Sequence, residues 1–443
     1  MMSPGDFAST EDVKRDVAAG RISLAWLLLL LLIFSLAFQQ PAIRVLGFAA
    51  VPSDFIYLAL LAAWTFELVA GRARFVWQQS YWLLGCYFAA MLASAVAAGM
   101  PARTSAKLLT QVYLLSLPVI AISLVQSERQ LRQALLAWLA GAGVVALVGV
   151  SAVVAFLVDP QSPLFAFARS DFGTLPPGNY PRLWLTFRNP NMLCNYLTVS
   201  LVIILIVRHR DWISRTPFLL LLGGILLSAL FTISTGLGGI VLALGWWGWL
   251  RLRDTHRIAG RLALIAGVLA AVLFVLAAVA SPVIPRDVPY LIHIPYIDRP
   301  FAPAVRLLTW SDAVHNLLGH PILGRGIGAD SVFVRYWVPY GYHAALTDAH
   351  NMFLNIAVQC GIVGLAALLA LIVYVWRLTF RPHRLAGSMN PAVPVALGFA
   401  FLNAFAYQGL IGSFEDARHL WVLFGLFAAS ISYPFRNAAR NVD

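Results

Sequence analysis

The chain has 443 residues, of which 60% are hydrophobic and only 11% charged. An ordinary soluble domain carries about 25% charged residues. The apolar residues fall in blocks of about 18–25, the length that crosses roughly 30 Å of hydrocarbon, which excludes a soluble enzyme and leaves a polytopic membrane protein. The net charge of +12 does not describe a nucleic-acid-binding face. The basic residues cluster at the ends of apolar blocks, so no nucleic-acid partner is expected and membrane lipids are.

In chain order, a polar segment over 1–20 carries no cleavable signal pattern and is expected in the cytoplasm. Apolar spans are then expected at 21–38, 54–70, 80–99, 107–125, 132–158, 190–207, 216–233, 236–250 and 261–280, nine helices over 21–280. A long loop with an amphipathic helix occupies 281–349. Three further spans, 350–376, 391–412 and 419–435, fill 350–435, and a short tail covers 436–443. The first loop, "QQPAIRVLGFAAVPSD", is apolar enough to lie in the interface, and the 236–250 span is short enough to tilt. Cys86, Cys194 and Cys360 all fall in apolar blocks without a CxxC pair and read as small core residues.

With the N-terminus inside, most of the 31 Lys and Arg residues fall on inside segments, among them Arg72, Arg129, Arg208, Arg251 and Arg377. The short outside loops hold only Arg44, Arg103, Lys107 and Arg418. That asymmetry, with an even number of spans, places both termini in the cytoplasm. The two long segments, 159–189 and 281–349, then lie outside. They are rich in aromatic residues, Pro and Arg, and long ordered loops are usually functional.

Span interiors almost lack charge. Glu67 lies near an inner end and Asp54 at an outer end, which argues against an ion-coupled transporter. "GRGIG" at 324–328 lacks the strand and the spacing of a phosphate loop and reads as a tight turn. No HExxH or DxD occurs, so no metal and no cofactor is expected.

Three outward stretches carry the chemistry. In "YPRLWLTFRNPNMLCNYL" (180–197), Arg182 and Arg188 bracket an apolar run, and "NPN" opens a span with Asn189 as a candidate cap. An arginine beside a helix N-terminus binds phosphate through its planar fork and free backbone N–H groups, although either arginine could equally be an interface anchor. In "RLLTWSDAVHNLLGHPILGRGIG" (306–328), Arg306 heads a helix with apolar residues at Leu307, Leu308, Trp310, Val314, Leu317 and Leu318. His315 and His320 read as polar-face or turn residues. In "DAHNMFLNIAVQCGIVG" (348–364), Asp348 or His350 could simply cap the following helix. Alternatively His350 is a base: imidazole titrates near neutrality, and a helix N-terminus disfavours its cation. One histidine base with several outward arginines suits transfer from a lipid diphosphate, the arginines taking the place of a divalent cation.

These residues resemble the O-antigen ligase and O-antigen polymerase family of bacterial membrane glycosyltransferases. "NPN" at 189–191 resembles its helix start, with Arg182 as an upstream arginine. The 306–328 stretch resembles its arginine-tryptophan helix followed by His-Pro-x-x-Gly-x-Gly. "HNMFLNIAVQCGIVG" resembles its His-Asn-x-x-Leu…Gly-Ile-x-Gly segment. The resemblance implies an all-α, GT-C-like architecture of about twelve transmembrane helices, with a large external loop between the ninth and tenth. It implies an inverting, metal-independent enzyme of the bacterial inner membrane. The enzyme would move O-antigen glycan from undecaprenyl diphosphate to a lipid A-core sugar at the periplasmic face. His350 would be the base, and Arg306 with Arg188 or Arg182 would bind the diphosphate. Asn351, Asp348 and Arg325 are candidate supporting residues.

One departure stands out. Relatives often carry a Ser-Arg-Gly turn between the seventh and eighth spans, where this chain reads "TISTGLGG" (232–239). Arg188 is expected to supply that charge from a neighbouring helix, and the glycines would let a headgroup approach the backbone. The alternatives are a polymerase using the same donor and, from another class, a lipid or polysaccharide flippase. A flippase needs a polar path that the spans lack.

Overall fold

The computed structural model describes residues 23–45, 48–172, 180–253, 255–280, 305–337, 343–380 and 391–432. The expected segments at 1–20 and 436–443, and residues 281–304 of the long loop, lie outside them.

Every apolar block coincides with a helix. These are α1 (Leu24–Ser35), α2 (Pro52–Val69), α3 (Ser80–Ala97), α4 (Ala102–Leu124), α5 (Glu128–Val158), α6 (Pro190–His209), α7 (Arg215–Leu230), α8 (Leu237–Leu252) and α9 (Arg257–Ala280). The amphipathic α10 (Val305–Gly319) follows, then α11 (Met352–Thr379), α12 (Ala392–Phe401) and α13 (Arg418–Ser430). Among the described residues, seven helices are long and apolar enough to cross a membrane, and α1, α7, α8 and the helical stretch 392–407 are shorter apolar helices. The chain is an all-α polytopic membrane protein with three short antiparallel ribbons: β1–β2 (Ile43–Val45 with Phe48–Ala50), β3–β4 (Arg169–Phe172 with Tyr180–Leu183) and β5–β6 (Val334–Trp337 with His343–Leu346).

The helix α6 is apolar on all sides and buried on all sides, as a helix without a polar face must be. Its few polar side chains find partners. Asn195 donates to the Ala404 carbonyl at 2.7 Å, and its side-chain oxygen accepts from the His419 ring at 2.7 Å. Gln408 donates to Thr198 at 2.8 Å. By contrast α9 buries little, and its apolar side chains face outward to the lipid region. It pairs closely with α8 at Gly245 and Gly267, where a Cβ on Gly245 would sit 2.7 Å from the Ala263 carbonyl. Small residues let helix backbones approach in this way.

The loops assigned to one side contact one another. The Gln39 amide meets the Thr186 carbonyl at 2.8 Å. Arg103 pairs with Asp330 at 2.6 Å, Lys107 pairs with Asp416, and Arg418 pairs with Asp54 at 2.7 Å. On the opposite side Arg210 pairs with Glu128 at 2.9 Å, and Glu67 accepts from the Ala25 amide at 3.1 Å. The two charged side chains seen at span ends, Asp54 and Glu67, therefore close helix starts and loop contacts.

Two departures from regular helix stand out. Within α11, Gly361 takes φ 66° and ψ −168°, breaking the helix. After α12, residues Leu402–Tyr407 form a π-helical segment, a geometry often found at functional sites. It aims the Asn403 amide at the Gly239 carbonyl, 2.8 Å away.

Candidate functional site at the mouth of the eleventh helix

The break at Gly361 frees backbone groups that the "HPILGRGIG" turn takes up. The Ile362 amide donates to Pro321 at 2.9 Å, Arg325 to Val358 at 2.9 Å, and Gly326 to Gln359 at 3.0 Å. Ser94 adds a hydroxyl on the Gln359 carbonyl at 2.6 Å, and the Gln359 side chain accepts from the Gly328 amide at 2.9 Å. Gly324, Gly326 and Gly328 all take positive φ. A Cβ on Gly361 would lie 2.0 Å from the Ile322 carbonyl oxygen, so only glycine fits that junction. The tight-turn reading of "GRGIG" describes this geometry. Arg325 takes part through its backbone, and its side chain is exposed, as are those of His315 and His320.

The N-terminal end of α11 is fixed from three sides. Asn351 is the cap, with its side-chain oxygen accepting from Phe353 at 3.0 Å and Leu354 at 3.2 Å. The helix starts at Met352, so His350 lies outside it with no capping duty. The Trp310 indole of α10 donates to the Ala349 carbonyl at 3.0 Å, joined by Thr309 at 3.4 Å. Asn355 donates to Asp348 at 3.0 Å and to Ser413 at 2.9 Å, and its oxygen accepts from the Ala349 amide at 3.0 Å.

His350 is held at φ 49°, a conformation uncommon for any residue but glycine. Asp348 sustains it by accepting from the His350 amide at 2.6 Å. The same carboxylate lies 3.5 Å from the imidazole Nδ1 and accepts from the Ser413 hydroxyl. The imidazole remains 41% accessible. Partial enclosure lowers its pKa below the ordinary histidine value; Asp348 opposes the shift and the Arg306 guanidinium adds to it. At neutral pH the ring is therefore neutral and can accept a proton.

Arg306, half-buried at the head of α10, reaches across to the turn between α7 and α8, both Nη atoms 3.3 Å from the Thr235 hydroxyl. Arg182 arrives at the same turn from β4, its Nε donating to the Thr232 carbonyl at 3.1 Å. Burial lowers the pKa of both guanidinium groups, which stay cationic at any physiological pH. The "NPN" start of α6 meets the turn as well. Asn189 caps the helix by accepting from Met192 at 2.8 Å, and Asn191 accepts from Ser234 at 2.7 Å. Arg188, the residue expected to replace the missing turn arginine, is exposed and makes no ion pair among the described residues. The charges on the "TISTGLGG" turn come from Arg306 and Arg182. Three distant stretches thus converge on one mouth, bringing together His350, Asp348, Asn351, Arg306 and Arg182, while Arg188 contacts none of them.

Beneath His350 lies a polar cluster that motif reading did not find. Asn355 also contacts buried Glu415 at 3.3 Å, Asp416 accepts from Gln111 at 2.7 Å, and Lys107 pairs with Asp416. Burial, with Asp416 and Asp348 nearby, pushes the Glu415 carboxyl up to about 8. The only available signal was the acidic pair in "SFED" (413–416), in a short loop that also carries Arg418. Among the described residues no group of three or more His, Cys, Asp and Glu could hold a metal ion.

Residues 218–369 match the family described as O-antigen ligase, roughly a third of the chain, and the match supports assignment to that family. The matched stretch includes the α7–α8 turn, Arg306, the glycine turn, His350 and the break at Gly361. Arg182, Arg188 and the 413–416 loop lie outside it. No curated protein matches the chain.

Proposed function

We propose, from the O-antigen ligase family assignment, that this chain is an inverting glycosyltransferase of the bacterial inner membrane. It would span the membrane about twelve times in a GT-C-like arrangement, with both termini cytoplasmic and the His350 face periplasmic. It would transfer O-antigen glycan from undecaprenyl diphosphate to a sugar hydroxyl of lipid A-core. The observation that carries the reading is the pairing of an accessible, neutral imidazole with a guanidinium that crosses to a glycine-rich turn.

In the proposed step Asp348 orients the imidazole through Nδ1, so that the other ring nitrogen takes the proton of the acceptor hydroxyl. The hydroxyl oxygen attacks the anomeric carbon of the donor sugar from the face opposite the diphosphate. The carbon–oxygen bond to the diphosphate breaks, its electron pair leaves with the phosphate, and configuration inverts. Arg306 stabilises the growing charge on the leaving group, with Arg182 on the same turn and exposed Arg188 as a further candidate. Positioned cations of this kind contribute most when they are fixed before charge develops. Turnover then needs no divalent cation.

The deciding experiment reconstitutes the full chain in lipid with a verified undecaprenyl-diphosphate glycan, lipid A-core and EDTA, and identifies products by mass. Glycan joined to lipid A-core is the expected product. Donor glycans joined to each other would make it a polymerase, and no new bond from competent substrates would remove the transferase reading.

A further inference from the structure

The glycines of the "TISTGLGG" turn are met from inside the bundle. Gly236, Gly238 and Gly239 are all buried. A Cβ on Gly238 would collide with the Tyr407 hydroxyl, and one on Gly239 with the Gln408 amide. A Cβ on Gly236 would lie 3.2 Å from the Gln408 side-chain oxygen. The space expected to admit a headgroup is therefore filled, at Gly238 and Gly239, by side chains from the end of the π-helical segment Leu402–Tyr407 and the residue after it.

These side chains tie the turn to three helices. The Asn403 side-chain amide donates to the Gly239 carbonyl at 2.8 Å. The Tyr407 hydroxyl donates to the Ala271 carbonyl of α9 at 2.8 Å. Gln408 donates to Thr198 of α6 at 2.8 Å and accepts from Asn195 at 3.0 Å. Asn195 also donates to the Ala404 carbonyl, within the π-helical segment, at 2.7 Å. The Asn403 contact rescues no orphaned group, because carbonyls in the first turn of a helix accept from the helix's own amides. Its effect is to fix where the start of α8 sits.

That position is passed on to a cation. The Gly238 amide donates to the Thr235 carbonyl at 3.3 Å, and the Gly239 amide to the Gly236 carbonyl at 2.8 Å, so the gripped glycines and Thr235 move together. The Thr235 hydroxyl in turn meets both Nη atoms of Arg306 at 3.3 Å. A misplacement of roughly 1 Å in a substrate-positioning group can cost about 10²-fold in rate. We propose that Asn403 and Gln408 are positioning residues for Arg306, holding the 232–239 turn from within the bundle so that the guanidinium is set for the donor diphosphate. This role rests on the transferase reading above.

The test uses the full chain reconstituted with the same donor and lipid A-core. Asn403→Ala should lower kcat/KM for the donor roughly tenfold, with the acceptor KM unchanged. In an Arg306→Gln background the same substitution should cost less than about twofold, because the cation it positions is gone. Equal losses in both backgrounds would overturn the proposal, since a general loss of fold acts independently of Arg306. Amide exchange over 232–239 should quicken in Asn403→Ala while that over 348–364 stays as in wild type. Unchanged exchange over 232–239 would also overturn it. Gln408→Met keeps the side-chain volume and loses both hydrogen bonds, and it carries the same measurements if Asn403→Ala does not fold. A wild-type protein that forms no bond would defeat the transferase reading itself, whereas an active one with equal losses would defeat only this role.

Discussion

Two neighbouring parts of the His350 end of the bundle look alike in sequence, since both pair a histidine with helix-breaking residues, yet the structure uses them differently. At 320–328 the glycine turn is bonded backbone to backbone into the break at Gly361, and its histidine and arginine side chains point away from that joint into solvent. At 348–351 the backbone is equally fixed, but the fixing is done by Asp348, Asn351, Asn355 and Trp310. His350 is thereby left with an accessible ring and no structural task. The difference teaches that a motif residue is a candidate for chemistry when its neighbours have already met the local backbone demands.

The largest expected effect breaks the comparison at its chemical half. His350→Ala should lower turnover by roughly 10²–10⁴-fold while donor binding in a filter or fluorescence assay stays near wild type. Normal turnover would demote His350 to another loop residue. Next, Arg306→Ala should lower kcat/KM by roughly 10²–10³-fold, and Arg306→Lys should recover only part, because an ammonium cannot fork onto phosphate. Full recovery with Lys would mean that only charge matters there.

Gly361→Val probes the structural half. The added branch would collide with the Ile322 carbonyl, and the positive φ alone is worth about 1–3 kcal/mol of strain. A fall in Tm in detergent is expected, with any residual activity keeping the wild-type pH profile. A changed profile at unchanged Tm would give this joint a direct part in chemistry.

Smaller effects sharpen the electrostatics. Glu415 keeps its proton up to about 8 in the folded protein and releases it near 4.5 when unfolded. Between those values unfolding releases a proton, so this residue makes stability fall as pH rises. Glu415→Gln should flatten that part of the Tm–pH curve, and an unaltered slope would exclude Glu415 as its source. Finally, kcat/KM should rise with pH through an ionisation below the ordinary histidine value and then level off. Arg306→Gln removes a charge that depresses the imidazole, so the ionisation should move upward. A downward move would separate Arg306 from His350.

Much of the frame was legible because it is local. Apolar blocks of membrane length, the Asn189 cap and the apolar face of α10 each follow from residues within a few turns of one another. Trp310 and Leu317 pack on α11 as that periodicity suggests, while Leu307, Val314 and Leu318 stay exposed along another face. The break at Gly361 was hidden because one glycine in an apolar run looks like any tolerated helix glycine, and its partner carbonyls lie some forty residues earlier. The support beneath His350 was hidden for a related reason. Lys107, Asn355, Glu415 and Asp416 come from three separate parts of the chain, and no periodicity reports their meeting. Arg306 was legible as a cation but not as the residue that reaches Thr235; that contact depends on how α10 is docked.

The resting partner of Arg306 has a kinetic consequence. Two other arginines at this end of the bundle are locked in ion pairs, Arg103 on Asp330 and Arg418 on Asp54. Arg306 instead waits on a neutral hydroxyl at 3.3 Å. On the proposed function, an incoming diphosphate would exchange a long, uncharged contact for a charge-assisted one, and would break no salt bridge among the described residues to do so. In that reading the Thr235 hydroxyl would hold the guanidinium extended across the mouth between turnovers, and would take it back once the spent lipid diphosphate had left.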